Sequence, residues 1–255
     1  MKRVLTSVVL VPLILAVVLK GPAWLLFGVT ATVAILCYHE YSGMASGYGT
    51  ARLGPIGYAA GLVLMLTEQH TGILIAGFAL IALTLSLQRD ALPQALPRAA
   101  MLLMGVVYVF GCWRFALLLR AASPYWLLYV LALNWIGDAC AYYMGKNFGR
   151  HKLAPAISPG KTWEGTLASL AGSVLFGVPF LWQFLPGVPV FYAVALSIAA
   201  NAAGQVGDLA ESAMKRGAHV KDSGALLPGH GGMLDRVDST LFALPVVYVF
   251  VSFLM

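Results

Sequence analysis

The sequence predicts an all-α, polytopic integral membrane protein with about nine transmembrane helices. Three observations carry that reading. Hydrophobic residues fill 60% of the 255 positions and charged residues only 10%, against roughly 25% charged in soluble domains, and the mean hydropathy is +0.83. The apolar residues form long unbroken runs, which suit helices; a barrel needs short strands of alternating polarity. The charges that remain are concentrated in a few segments. A soluble core is excluded on composition alone.

The first apolar run, 4–19, follows Lys2 and Arg3 in the manner of a secretory leader. No A-x-A-like cleavage site follows, and Lys20-Gly21-Pro22 leads straight into the run 23–38, so 4–19 reads as an uncleaved first helix. Further runs cover 54–66, 72–87, 99–119, 125–143, 166–185, 188–206 and 241–254. Several are shorter than the ~20 residues of a perpendicular crossing. Cys37, Cys112 and Cys140 lie inside these runs without metal-type spacing and read as buried small hydrophobes. The chain reads as a single polytopic membrane domain, 1–255, with 1–133 mainly scaffold and 134–255 carrying the chemistry. Only Glu40, Glu68 and Asp90 are acidic before residue 134, and seven acidic residues follow it. No internal repeat supports an inverted-repeat transporter.

Nine spans place the amino terminus and the loops 40–53, 88–98, 146–163 and 215–237 on one face. That face holds thirteen of the sixteen basic residues, the opposite loops only Lys20 and Arg120, and Arg114 lies within a run. Positive charge stays cytoplasmic, so the chain is expected as a multi-pass protein of the inner, cytoplasmic membrane. Its lipid bilayer is the first partner. The net charge of +6 follows from this topology, and the basic residues fit no nucleic-acid motif.

The segment 208–238 holds five of the ten acidic and four of the sixteen basic residues. Asp208, Glu211, Ser212 and Lys215 recur at i, i+3, i+4 and i+7, on one helical face. Asp208 then lies roughly 10 Å deeper than Lys215, where a carboxylate is costly without a cation or cavity. Asp138, about two turns before Lys146, lies at a matching depth. Two such carboxylates suit a shared Mg²⁺; the competing reading gives each its own lysine or arginine.

Between Gly224 and Gly232 the glycines free the backbone, and Pro228-Gly229-His230-Gly231-Gly232 can turn amide N–H groups toward an anion. Asp235-Arg236-Val237-Asp238 follows at once, with Lys215, Arg216 and Lys221-Asp222 upstream. Phosphates need cations and N–H donors while Mg²⁺ needs carboxylates, and both sets are here. His230 reads as a hydrogen-bond donor to phosphate or a loop organiser rather than an acid or base. The segment Ser158-Pro-Gly-Lys161-Thr162-Trp163-Glu164-Gly165 adds cations and hydroxyls on the same face. It lacks the first glycine of a Walker A loop; the plainer reading is a basic turn capped by Thr162.

These residues resemble a family. Ser212-Ala-Met-Lys215-Arg216, Lys221-Asp222 and the run Pro228 to Asp238 are similar to the signature of phosphatidate cytidylyltransferases, the CDP-diacylglycerol synthases, and the segment Ser158 to Gly165 is similar to that family's other hallmark. One departure is Asp138-Ala139-Cys140, where the family carries Asp, then Thr or Ser, then Gly. The resemblance implies that the phosphate of phosphatidate attacks the α-phosphorus of CTP, giving CDP-diacylglycerol and pyrophosphate at a cytoplasmic-side active site. It implies Asp208, Asp235, Lys215, Arg236 and Asp238 as catalytic residues. Lys161, Ser212, Arg216, Lys221, Asp222, His230, Gly231 and Gly232 would then bind CTP or the lipid phosphate. Asp208, Asp235 and Asp138 would hold Mg²⁺, with room in the acid count for a second metal ion. A homodimer is compatible with the sequence, which leaves the oligomeric state open. A transporter would spread its charges along a path across the bilayer, and a lipid kinase would release a nucleoside diphosphate instead of pyrophosphate.

The basic asymmetry generates a test of sidedness. An impermeant thiol reagent applied to intact cells should spare Ser158→Cys and reach a cysteine in a carboxy-terminal tag; labelling of Ser158→Cys from outside contradicts the topology.

Overall fold

The computed structural model describes residues 2–50, 54–87, 89–226 and 231–254. Among them the protein is helical apart from one short hairpin. In chain order the helices are α1 (Lys2–Lys20), α2 (Ala23–Gly47), α3 (Pro55–Leu66), α4 (Thr71–Leu85), α5 (Ala95–Gly105), α6 (Cys112–Ala122), α7 (Pro124–Phe148), α8 (Trp163–Phe184), α9 (Val190–Gly217) and α10 (Asp238–Leu254). A π-helical turn, Val106–Gly111, runs from α5 into α6, so 92–122 forms one 31-residue helix. Four helices are long and apolar enough to cross a membrane by length and composition: Ala23–Gly47, Leu92–Ala122, Trp163–Phe184 and Val190–Gly217. The chain is a multi-pass membrane protein built from helices.

Several helices outrun the apolar segments that announce them. α2 continues to Gly47, α7 to Phe148 and α9 to Gly217, past the apolar segments into polar residues. Glu40 in α2 and Glu211 in α9 are both buried.

The residues divide into two compact units. The first comprises 1–22, 115–213 and 237–255. In it α7 and α8 pack along their length, and α1 and α10 also lie against α7. The close α7 approach requires Gly137, where a Cβ would collide with the Asn201 side-chain nitrogen. Arg120 donates from Nε to the carbonyl of Val18 at 2.5 Å and from Nη2 to that of Gly21 at 3.3 Å, satisfying carbonyls that the end of α1 leaves open. Cys140 lies against Gly172, where a Cβ would run into its sulfur.

The first unit also holds the hairpin, β1 (Lys152–Ala154) paired antiparallel with β2 (Ser158–Thr162). Its closing residue, Thr162, accepts from the Gly165 amide at 3.2 Å and so caps α8. His151 extends the closure: its backbone carbonyl accepts from Trp163 N at 2.9 Å, and its ring lies 2.7 Å from Glu164.

The second unit comprises 23–114 and 214–236. Its core is aromatic: Tyr38 and Phe110 are fully buried with ring centroids 5.5 Å apart. Gly61 admits the Phe110 ring, into which a Cβ at that position would project. Arg114, the arginine inside an apolar run, donates to the carbonyls of Thr67 at 2.9 Å and Glu68 at 3.0 Å. Its charge therefore serves the carboxyl end of α3, the favourable end of the helix dipole for a cation.

Candidate active site

The charged residues singled out by the sequence fall into two groups, one in each unit. In the first unit β2 presents Lys161 and α9 presents Asp208, and Lys161 Nζ lies 2.8 Å from Asp208 Oδ2. Both side chains are partly exposed, at 22% and 35%, so the pair is open to a ligand. Ser212, one turn on in α9 and buried, donates to Asp208 Oδ1 at 3.4 Å. Asp138 of α7 interacts electrostatically with both Asp208 and Lys161. Two carboxylates and one lysine thus act electrostatically on one another, and the excess of negative charge suits a divalent cation.

A buried polar stripe underlies this group. Lys161 Nζ also donates to the Gln205 carbonyl at 3.4 Å. Gln205 Nε2 donates to Asn201 Oδ1 at 2.6 Å, and Asn201 Nδ2 donates to Ser169 at 2.9 Å and Ser173 at 2.8 Å. Ser197, Asn201, Gln205 and Asp208 follow one another along α9 at spacings of four, four and three residues, and so form one face. The stripe was available in the sequence as that spacing, hidden among small residues that carry no charge.

In the second unit Lys215 Nζ donates to Asp235 Oδ1 at 2.5 Å, with both side chains almost buried. Asp235 Oδ2 accepts from the amides of Gly232 at 2.8 Å and Ser223 at 3.0 Å. Burial alone would push the Asp235 pKa up. The Lys215 bond and the two amides outweigh it and leave the group lowered to about 2. Asp235, expected as a metal ligand, has both oxygens engaged here.

Glu40, which the sequence motifs do not single out, joins this group from α2. Its Oε1 accepts from Met233 N at 2.9 Å, and its Oε2 from Leu234 N at 2.8 Å and Ser223 Oγ at 3.0 Å. The amide N–H groups expected to face phosphate around the glycine-rich segment are thus partly taken by protein carboxylates. The signal was present: Glu40 is a carboxylate on a helix long and apolar enough to span a membrane, the same argument that singles out Asp208.

The remaining candidates lie as follows. Gly231 adopts φ +80°. Arg216, Lys221, Asp222 and Arg236 are exposed, with Arg216 donating to the Val220 carbonyl at 3.4 Å. Asp238 opens α10 in the first unit, where its Oδ1 accepts from Ser239 N at 2.7 Å. His230 lies outside the described residues. Among the described residues no three or more His, Cys, Asp or Glu side chains form a metal cluster. Mg²⁺ does not demand one, since it binds through one or two carboxylates with waters and substrate phosphates completing its shell.

Sequence comparison adds an independent observation. The model of the cytidylyltransferase family matches residues 1–254. A phosphatidate cytidylyltransferase from Staphylococcus aureus (strain COL) is 33% identical over 258 residues, covering 97% of this chain and 97% of that protein. One from Bacillus subtilis (strain 168) is 32% identical over 260 residues, covering 97% and 96%. A third, from Staphylococcus haemolyticus (strain JCSC1435), reaches 39% over 151 residues, 59% of this chain and 58% of that protein.

The depressed Asp235 pKa has a pH signature. A carboxyl shifted from 3.8 to about 2 contributes roughly 2 kcal/mol that is fully present above its unfolded value and lost as pH falls through the folded one. The melting temperature of the detergent-solubilised parent should therefore exceed that of Asp235→Asn at pH 5, and the gap should close between about pH 4 and pH 2. A gap that does not change with pH contradicts the assignment.

Proposed function

Because this chain belongs to the cytidylyltransferase family, we propose that it transfers the cytidylyl group of CTP to phosphatidate, releasing pyrophosphate and forming CDP-diacylglycerol. The observation that carries the reading is the match of the family along residues 1–254, together with named relatives aligned over 97% of this chain. The bilayer is the second substrate's own phase: the acyl chains of phosphatidate need an apolar body, and its phosphate needs the charged residues at the edge of that body.

The reaction breaks the bond between the α- and β-phosphates of CTP and makes one from a phosphatidate oxygen to the α-phosphorus. No covalent intermediate on the protein is needed, so catalysis rests on positioning and on neutralising the charge of the leaving pyrophosphate. Lys161 is suited to bind a phosphate oxygen, because its ammonium is partly exposed and pairs with a carboxylate, Asp208, that is itself accessible. Ser212 and the Asn201–Gln205 stripe hold Asp208 and the Lys161 ammonium in place. Arg216, Lys221 and Arg236, all exposed, are proposed to steer and grip phosphate, and Asp222, His230, Gly231 and Gly232 are proposed to bind the same substrates. Asp238 anchors the start of α10.

Mg²⁺ fits Asp208 and Asp138, two carboxylates whose charges act on each other, the first of them paired with Lys161. The ion, when bound, supplies charge neutralisation to the phosphates. Asp235 is proposed as a further ligand through Oδ1, the oxygen that accepts from Lys215. Lys215 and Asp235 also act together to order the residues around Ser223 and Gly232. We further propose nine membrane crossings, with this chemistry on the cytoplasmic side of the inner membrane; the basic asymmetry of the loops supports both.

Purified protein given phosphatidate, labelled CTP and Mg²⁺ in detergent should produce CDP-diacylglycerol and one pyrophosphate per turnover. Asp208→Asn should cut kcat by roughly a hundred- to a thousandfold, the scale expected when one electrostatic interaction is removed from a transition state, while purifying normally. Release of CDP and a new lipid phosphate would identify a kinase instead, and near-parent activity of Asp208→Asn at saturating Mg²⁺ would remove Asp208 from the mechanism.

A further inference from the structure

We propose that Glu40 is a positioning residue for the reaction: its carboxylate clamps the segments on both sides of the glycine-rich loop and thereby fixes Asp235 and Lys215. The inference rests on the activity proposed above and adds a residue from the amino-terminal half of the chain. Glu40 is 3% exposed, and its three donors come from two stretches that sequence separates. Ser223 stands on the near side of the loop, and Met233 and Leu234 stand on the far side.

The same contacts lead on to Asp235. Ser223 Oγ, while donating to Glu40, accepts from Asp235 N at 3.3 Å, and Ser223 N donates to Asp235 Oδ2 at 3.0 Å. A connected path therefore runs from Glu40 through Ser223 to Asp235 and Lys215. Two glycines are explained at once. A Cβ on Gly224 or on Gly232 would fall 2.5 Å from a Glu40 carboxylate oxygen, closer than any real contact, so a side chain at either position would expel the carboxylate.

A carboxylate is the group this pocket requires. It offers acceptors at both oxygens and no donor, whereas glutamine would turn an NH₂ toward donors that face one of the two oxygens. That mismatch leaves buried donors unpaired. Neutral isosteric replacement is thus the sensitive test, and it leaves the side-chain volume almost unchanged.

The experiment compares parent, Glu40→Gln and Ser223→Ala, each alone and with Asp235→Asn, by steady-state kinetics and by hydrogen exchange of the peptide containing residues 231–236. Glu40→Gln should lower kcat by roughly ten- to a hundredfold, as expected of a displaced catalytic segment, with the KM for CTP changed far less. In the Asp235→Asn background the same substitution should cost less than about twofold, because the path it supports is already broken. Exchange at Met233 and Leu234 should speed up in Glu40→Gln. A fall in melting temperature with unchanged kcat would overturn the proposal, as would an equal loss of kcat in both backgrounds. Should Glu40→Gln fail to fold, Ser223→Ala carries the same comparison, and full activity with unchanged exchange in that variant overturns the path. A parent without cytidylyl transfer would sink the proposed activity, whereas the exchange result still decides whether the clamp exists.

Discussion

An ionised group inside an apolar helical body has to find its compensation within the protein, because bare transfer from water costs several kcal/mol or more. Each unit of this chain meets that demand in its own way. In the first, Asp208 takes Lys161; in the second, Asp235 takes Lys215 and two amides, and Glu40 takes two amides and a hydroxyl. Arg114 and Arg120 complete the pattern by meeting carbonyls at the carboxyl ends of α3 and α1. These charges are committed to particular partners within their units, and this fixes the segments that carry them.

The two carboxylate–lysine pairs differ in a way that bears on function. Lys215 and Asp235 are nearly buried, with side-chain exposures of 12% and 11%, whereas Lys161 and Asp208 stand at 22% and 35%. A nearly buried pair with both carboxylate oxygens hydrogen-bonded is suited to hold a loop. A more exposed pair, next to a second carboxylate and resting on a hydrogen-bonded stripe, is suited to exchange partners with phosphate and metal. The two pairs thus differ in exposure and in how many partners each carboxylate holds.

Much of this was legible in the sequence, because composition and run length determine helices in a membrane protein and because the charges of 208–238 stand out against an apolar background. Asp208, Lys215 and Asp235 were legible for that reason, and Thr162 was legible as a cap. The hairpin of 152–162 was not, since three- and five-residue strands have no periodicity to detect. Nor was the π-helical turn at 106–111, in which Tyr108 and Phe110 are buried. Glu40 itself was legible as a carboxylate on an apolar helix, but its role was not, because its partners lie more than 180 residues away and are mostly backbone amides, which no side-chain pattern reveals. The second role of the glycines at 224 and 232 is hidden for the same reason: they make room for that carboxylate as well as for turns.

The central claim is that the signature segment is held by charges compensating one another inside the protein, and a double-mutant cycle on the most buried pair tests it directly. Melting of Lys215→Met, Asp235→Asn and the double variant, measured in one detergent near neutral pH, gives the coupling between the two side chains. The account predicts that the double variant loses less stability than the two single losses summed, by roughly 1–3 kcal/mol, since each single substitution takes the opposite charge away from a nearly buried partner. Additive losses would contradict it.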